Sequence, residues 1–271
     1  MKIAITVFSI LLSGVVTAQS PILEKLWETD SVIAVPESVL PLKDILYVSL
    51  IDGGGWVSDG KGGVGKLNRD GKIIDTAWIT GLNAPKGLGI FKERLYVADI
   101  SEVVVIDIKK GKVEKKIAID SAKGLNDVTV TSNGIVYVSD SRTAKIWRIE
   151  NDKPALYLDS IKGVNGLKAI GDDLYIGSGK LFLKANSIKQ ITRIAELPQG
   201  IDGIEPIGNG DFLITSWGGY IWYVYAEGKI ETLLETHPQK KNPADIGYDK
   251  EKHILYVPTF NAKTVAAFIL K

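Results

Sequence analysis

The 271-residue sequence contains no cysteine. That absence excludes disulfides, thiolate zinc sites, cysteine nucleophiles and a lipidated cysteine behind a signal sequence. Histidine is nearly absent too. With only His237 and His253, a histidine-rich zinc centre has no support, and Ser139-Asp140-Ser141 lacks the histidine that a serine-hydrolase triad needs. Neither sign of charge dominates: 33 Lys+Arg face 32 Asp+Glu, so a net charge of +1 gives no reason to expect nucleic acid or an anionic membrane surface as partner. Long apolar runs are missing apart from residues 3–16, which are too few for a comfortable membrane span. Preceded by Lys2 and followed by Val16-Thr17-Ala18, that run reads as a secretory signal peptide over 1–18. The mature protein is therefore expected to be soluble, without a membrane anchor, in the periplasm or outside the cell.

What the chain does have is an internal repeat. A small or polar residue opens an alternating apolar strand, a turn follows, and a Leu-Tyr-Val-like strand comes next. The copies start at Pro36-Glu37-Ser38-Val39, Pro85-Lys86-Gly87-Leu88 and Leu125-Asn126-Asp127-Val128, then at Val164-Asn165-Gly166-Leu167, Ile201-Asp202-Gly203-Ile204 and Pro243-Ala244-Asp245-Ile246. Their second strands are Leu46-Tyr47-Val48, Leu95-Tyr96-Val97, Val136-Tyr137-Val138, Leu174-Tyr175-Ile176, Phe212-Leu213-Ile214 and Leu255-Tyr256-Val257. Hairpin chemistry separates them, as in Ser132-Asn133-Gly134 and Gly208-Asn209-Gly210. Further strand pairs fill the intervals, such as 103–108 with 113–119 across Lys110-Gly111. Four short strands per unit, at a spacing of about forty residues, are the signature of a propeller blade. The sixth copy is followed only by 264–270, enough for a third strand, and its missing outer strand is assigned to 23–33. Residues 19–271 thus read as one all-β domain, a six-bladed β-propeller whose last blade is closed by an N-terminal strand.

In such a ring the start of each inner strand delivers a side chain to one end of the channel. Six units place Glu37, Lys86, Asn126, Asn165, Asp202 and Ala244 there, with Asp127 and Asp245 one position later. Taken singly, these are ordinary turn residues. Together, their carboxylate and amide oxygens suit a hard cation such as Ca²⁺ or Mg²⁺.

The chain resembles the senescence-marker-protein/gluconolactonase (regucalcin-like) family over essentially its whole mature length. The likeness rests on Pro36-Glu37, Leu125-Asn126-Asp127, Val164-Asn165-Gly166-Leu167 and Asp202-Gly203, one motif per blade and in order. It implies a six-bladed propeller that hydrolyses a sugar lactone with one divalent cation, Ca²⁺ first and Mg²⁺, Mn²⁺ or Zn²⁺ as substitutes. By position, Glu37, Asn165 and Asp202 would hold the metal, Asp202 would also be the general base, and Asn126 would contact substrate or water. Lys86, Asp127 and Trp56 complete the expected substrate contacts. Two departures stand out. Gly124 occupies the place of a substrate-binding arginine found in some members, and Lys86 brings a cation into the ring, able to bind a substrate anion or oppose a metal.

Two other segments carry competing signals. Gly60-Lys61-Gly62-Gly63-Val64-Gly65-Lys66 mimics a phosphate-binding loop, but Leu67 stands where a metal-binding hydroxyl should be, and a strand rather than a helix should follow. No nucleotide is expected. Residues 52–66, with Gly53-Gly54-Gly55-Trp56, read either as a disordered loop tip or as a lid that stacks Trp56 on a sugar ring. Two function classes follow: a metal-dependent lactonase acting on a small sugar-lactone-like substrate, or a non-catalytic periplasmic propeller of NHL- or YVTN-like kind that binds a ligand or protein. The chain is expected to be a monomer.

Overall fold

The computed structural model describes residues 20–31 and 33–271; the signal peptide expected over 1–18 lies outside the described residues. Among the described residues twenty-four strands form six four-stranded antiparallel sheets, one for each repeat of the sequence, the last completed by Leu23–Glu28. Blade 1 runs Val35–Leu42, Ile45–Ile51, Gly62–Asn68 and Ile73–Leu82 from axis to rim. Blade 2 starts at Pro85–Phe91, blade 3 at Leu125–Val130, blade 4 at Val164–Ile170, blade 5 at Ile204–Pro206 and blade 6 at Gly247–Asp249.

Period-two alternation builds the ring because each sheet has to bury both faces. In blade 2, Leu95 and Val97 pack with Tyr47 and Val64 of blade 1. Tyr96 and Ala98, on the other face, pack with Val128 and Val138 of blade 3. The same division makes six apolar layers, one between each neighbouring pair of blades, including the layer of Val39 and Leu46 with Tyr256 and Val265 that joins blade 1 to blade 6. Trp222 is fully buried in the core, whereas Trp217 is half-exposed in a turn.

Closure follows the expected route. Leu23–Glu28 pairs antiparallel with Val265–Leu270 as the outer strand of blade 6, from Leu23 opposite Leu270 to Glu28 opposite Ala266. The strand is shorter than 23–33. Glu28 ends it by accepting hydrogen bonds from Lys241 Nζ at 2.6 Å and Thr264 Oγ1 at 2.8 Å. On the axis, the amide of Asp245 donates to Glu37 O at 3.0 Å, so the segment entering the inner strand of blade 6 also bonds directly to blade 1.

The segment resembling a phosphate loop lies largely on the strand Gly62–Asn68. A β-carbon at Gly63 would run into the carbonyl of Ile79, so that glycine admits the outer strand of its own blade. No helix follows whose N-terminus could face phosphate.

Candidate functional site

In blades 1 to 4 the entry of the inner strand carries a bulge in which two residues oppose one on the second strand, a register slip of one residue. The bulged pairs are Glu37-Ser38, Lys86-Gly87, Asn126-Asp127 and Asn165-Gly166, and the first residue of each is the one that the repeat assigns to the channel. A bulge re-aims side chains and frees main-chain groups that need partners. Ser49 Oγ accepts the amide of Ser38 at 2.9 Å, Ser139 Oγ that of Asp127 at 2.9 Å, and Thr215 Oγ1 that of Gly203 at 2.8 Å. These hydroxyls directly follow the Leu-Tyr-Val-like motif and were a readable signal that the sequence reasoning passed over. Close approach between blades needs glycine at one position above all: a β-carbon on Gly166 would collide with the carbonyl of Asp202.

Glu37, Lys86, Asn126 and Asp202 are buried at the mouth of the channel, with Asn165 partly so. Asn165 Nδ2 donates to Asp202 Oδ1 at 3.2 Å. Glu37 Oε2 and Asn165 Oδ1 are buried acceptors with no donor. Asn126 Nδ2 donates to Ser141 Oγ at 3.1 Å, and that hydroxyl donates to Val164 O at 2.6 Å, tying blade 3 to blade 4. Ala244 supplies no functional group. Its carbonyl accepts from Thr215 Oγ1 at 2.8 Å.

The loop between the second and third strands of blade 1 reaches over the ring. Lys86 Nζ donates to Gly55 O at 2.8 Å and lies 4.2 Å from the centre of the Trp56 ring. Arg142, from the corresponding turn of blade 3, stands 4.9 Å from the same ring. Sequence reasoning missed Arg142. Its stem crosses Gly124, where a β-carbon would lie 2.6 Å from Arg142 Cγ. Arg142 thus occupies the space that a side chain at position 124 would need.

Burial dominates the electrostatics. It raises Glu37 well above the usual carboxylate range, with Lys86 opposing the rise and Asp202 and Asp127 adding to it. Asp202 is pushed up to about 7 by burial and then by Asp127, against Lys86 and the Asn165 amide. Burial lowers Lys86, while Glu37 and Asp202 pull it back up. The shared influence places these three charges within electrostatic range of one another.

One layer further along the axis, Asp127 accepts the amides of Leu167 at 2.5 Å and Val128 at 2.6 Å, which fastens blade 3 to blade 4; burial nonetheless raises it to about 6. Beyond it, a cavity of about 220 Å³ is lined by Ser38, Asp127, Thr129, Asp245 and the Lys168–Glu205 ion pair, whose closest atoms are 2.8 Å apart.

The donor set of Glu37, Asn165 and Asp202 fits a hard divalent cation. All three offer oxygen, and two of those oxygens are buried acceptors that a cation would satisfy. Among the described residues no three Asp, Glu or His side chains form a metal-binding group, so such a site depends on the Asn165 amide oxygen.

No family model and no curated protein matches the sequence. Solved structures do match in three dimensions. A streptogramin B lyase superposes with a TM-score of 0.67 at 12% identity, over 93% of this chain and 98% of that one. The fold they share is the six-bladed propeller. Virginiamycin B lyase from Staphylococcus aureus aligns with a TM-score of 0.63 at 16% identity, over 93% of this chain and 88% of that one. A catalytically inactive histidine-to-alanine variant of that enzyme, with quinupristin, gives 0.65 at 15% identity, over 92% and 99%.

Proposed function

We propose that the channel mouth binds one divalent cation, calcium in first place, and hydrolyses a small sugar-lactone-like ester in the periplasm or outside the cell, as the gluconolactonase resemblance implies. The observation that carries this reading is the pair of unsatisfied buried oxygens, Glu37 Oε2 and Asn165 Oδ1, on residues matched to metal ligands, with Asp202 Oδ1 accepting from the amide nitrogen of Asn165. When bound, such a cation polarises a carbonyl as a Lewis acid. Asp202, with its affinity for a proton raised by burial, takes one from the attacking water. Asn126, held by Ser141, orients that water or the substrate. Lys86 and Trp56 position the substrate beneath the loop of blade 1, and Asp127 holds the inner strands of blades 3 and 4 at the spacing the ring needs.

The test is metal content after purification, then turnover of a lactone panel with and without chelator. Chelator-sensitive hydrolysis that Asp202→Ala abolishes is expected. Unchanged turnover in that variant overturns the mechanism.

One observation favours the second reading, a non-catalytic ligand-binding propeller: Lys86 already offsets the charge of Glu37 and Asp202 without a metal. A metal-free protein inert on every lactone would leave that reading standing. The lyase chemistry of the structural neighbours has less support. One of them is inactivated by loss of a histidine, whereas here His237 lies in a short helical turn, half-exposed, and His253 in the hairpin at the far end of blade 6.

A further inference from the structure

Five arginines are present, and four of them face a carboxylate: Arg69 with Asp249, Arg94 with Glu114, Arg148 with Glu150 and Arg193 with Glu196. Arg142 has no such partner among the described residues, and neither has Lys86, whose ammonium donates only to a main-chain carbonyl. Both cations lie against one indole, so their separation cannot exceed the sum of 4.2 Å and 4.9 Å. Like charges at that range repel, and a shared ring face offsets only part of that repulsion. Arg142 is nevertheless held in place. Its own amide and that of Thr143 donate to Asp140 Oδ1, at 3.2 and 3.1 Å, and its stem is packed across Gly124.

We infer that Lys86 and Arg142 form a clamp for one anionic oxygen group of the ligand, a carboxylate or a phosphate, seated against Trp56 at the channel mouth. A guanidinium fork and an ammonium can both donate to the same anion, and charge-assisted bonds of this kind are the strong ones. The substrate class narrows accordingly to acidic sugars and sugar phosphates, with the anion at the lid and the uncharged part toward Asn126 and Asn165. The inference rests on the mouth being a small-molecule site, but not on metal or hydrolysis.

Titration calorimetry on metal-stripped protein, dialysed free of chelator at low salt, tests it with D-glucuronate, D-glucose 6-phosphate, inorganic phosphate and uncharged D-glucose. At least one anion should bind ten-fold or more tightly than glucose. Arg142→Gln should weaken that anion at least ten-fold, Arg142→Lys should recover part of the loss, and thermal unfolding of Arg142→Gln should be unchanged or raised because repulsion of Lys86 is relieved. Preference for glucuronate identifies a carboxylate, preference for either phosphate identifies a phosphoryl group, and both results support the clamp. Anions that bind no better than glucose, or an Arg142→Gln variant that binds like the parent, overturn it. Lactone turnover can fail while anions still bind, so the two proposals fail separately.

Discussion

Burial shifts the proton affinity of both Asp202 and Lys86, and the charge of each opposes the shift of the other. For Asp202 the consequence has a definite sign. An unfolded aspartate releases its proton near 3.9, whereas the folded one holds it to about 7. Across that window the folded chain carries the extra proton, so stability falls as pH rises and levels off above the folded value. In metal-stripped protein, urea unfolding between pH 5 and 8 should therefore decline less steeply for Asp202→Asn than for the parent; matching slopes would mean that Asp202 titrates as an ordinary carboxylate. Lys86 makes a complementary prediction. Lys86→Met removes a like charge near any cation held by Glu37, Asn165 and Asp202, so calcium affinity measured by calorimetry should rise at least ten-fold, about 1.4 kcal/mol. Unchanged affinity would place the metal elsewhere.

The inner strand is the element on which the site depends, and its bulge is where the sequence was least legible. The repeat showed which residues open each strand because apolar alternation is a local pattern. That a hydroxyl on the next strand catches the freed amide is a pairing across a sheet, marked along the chain only by a Ser or Thr just after the Leu-Tyr-Val-like motif. Ser139→Ala leaves the buried Asp127 amide without an acceptor, a loss of about 1–3 kcal/mol in unfolding free energy by chemical denaturation, whereas Ser139→Thr should recover most of it. A Ser139→Ala variant as stable as the parent would show that the hydroxyl does not support the bulge. The blade 1 loop was open to two readings, a loose tip or a lid; Gly55 and Trp56 rest on Lys86, an arrangement settled by a lysine from another blade. Arg142 escaped notice for the same reason. It follows an ordinary turn at Asp140 and acquires its role only where blade 3 meets the loop of blade 1.

The ring holds because every blade buries both faces and its ends are joined by one sheet. The first described strand, Leu23–Glu28, contributes little core of its own, since its middle residues are exposed. Its contribution is to cover the open edge of Val265–Leu270 and to anchor Lys241 and Thr264 through Glu28. A chain beginning at Thr29 should lose about 10 °C in melting temperature by calorimetry and should aggregate through the uncovered edge. Equal stability would show that closure by this strand is dispensable.

Strand number, blade order and the manner of closure were readable from residue order because they arise from period-two alternation and turn chemistry that recur six times within short windows. The repeat also marked Glu37, Lys86, Asn126, Asn165 and Asp202 as the entry residues of their blades, since each occupies the same place in its unit. Which of their atoms meet, which oxygens lack a donor, and how far burial moves Asp202 were not. Those properties depend on the low-dielectric space enclosed by all six blades together, and on side chains brought to one axis from positions as far apart in the chain as Glu37 and Asp202.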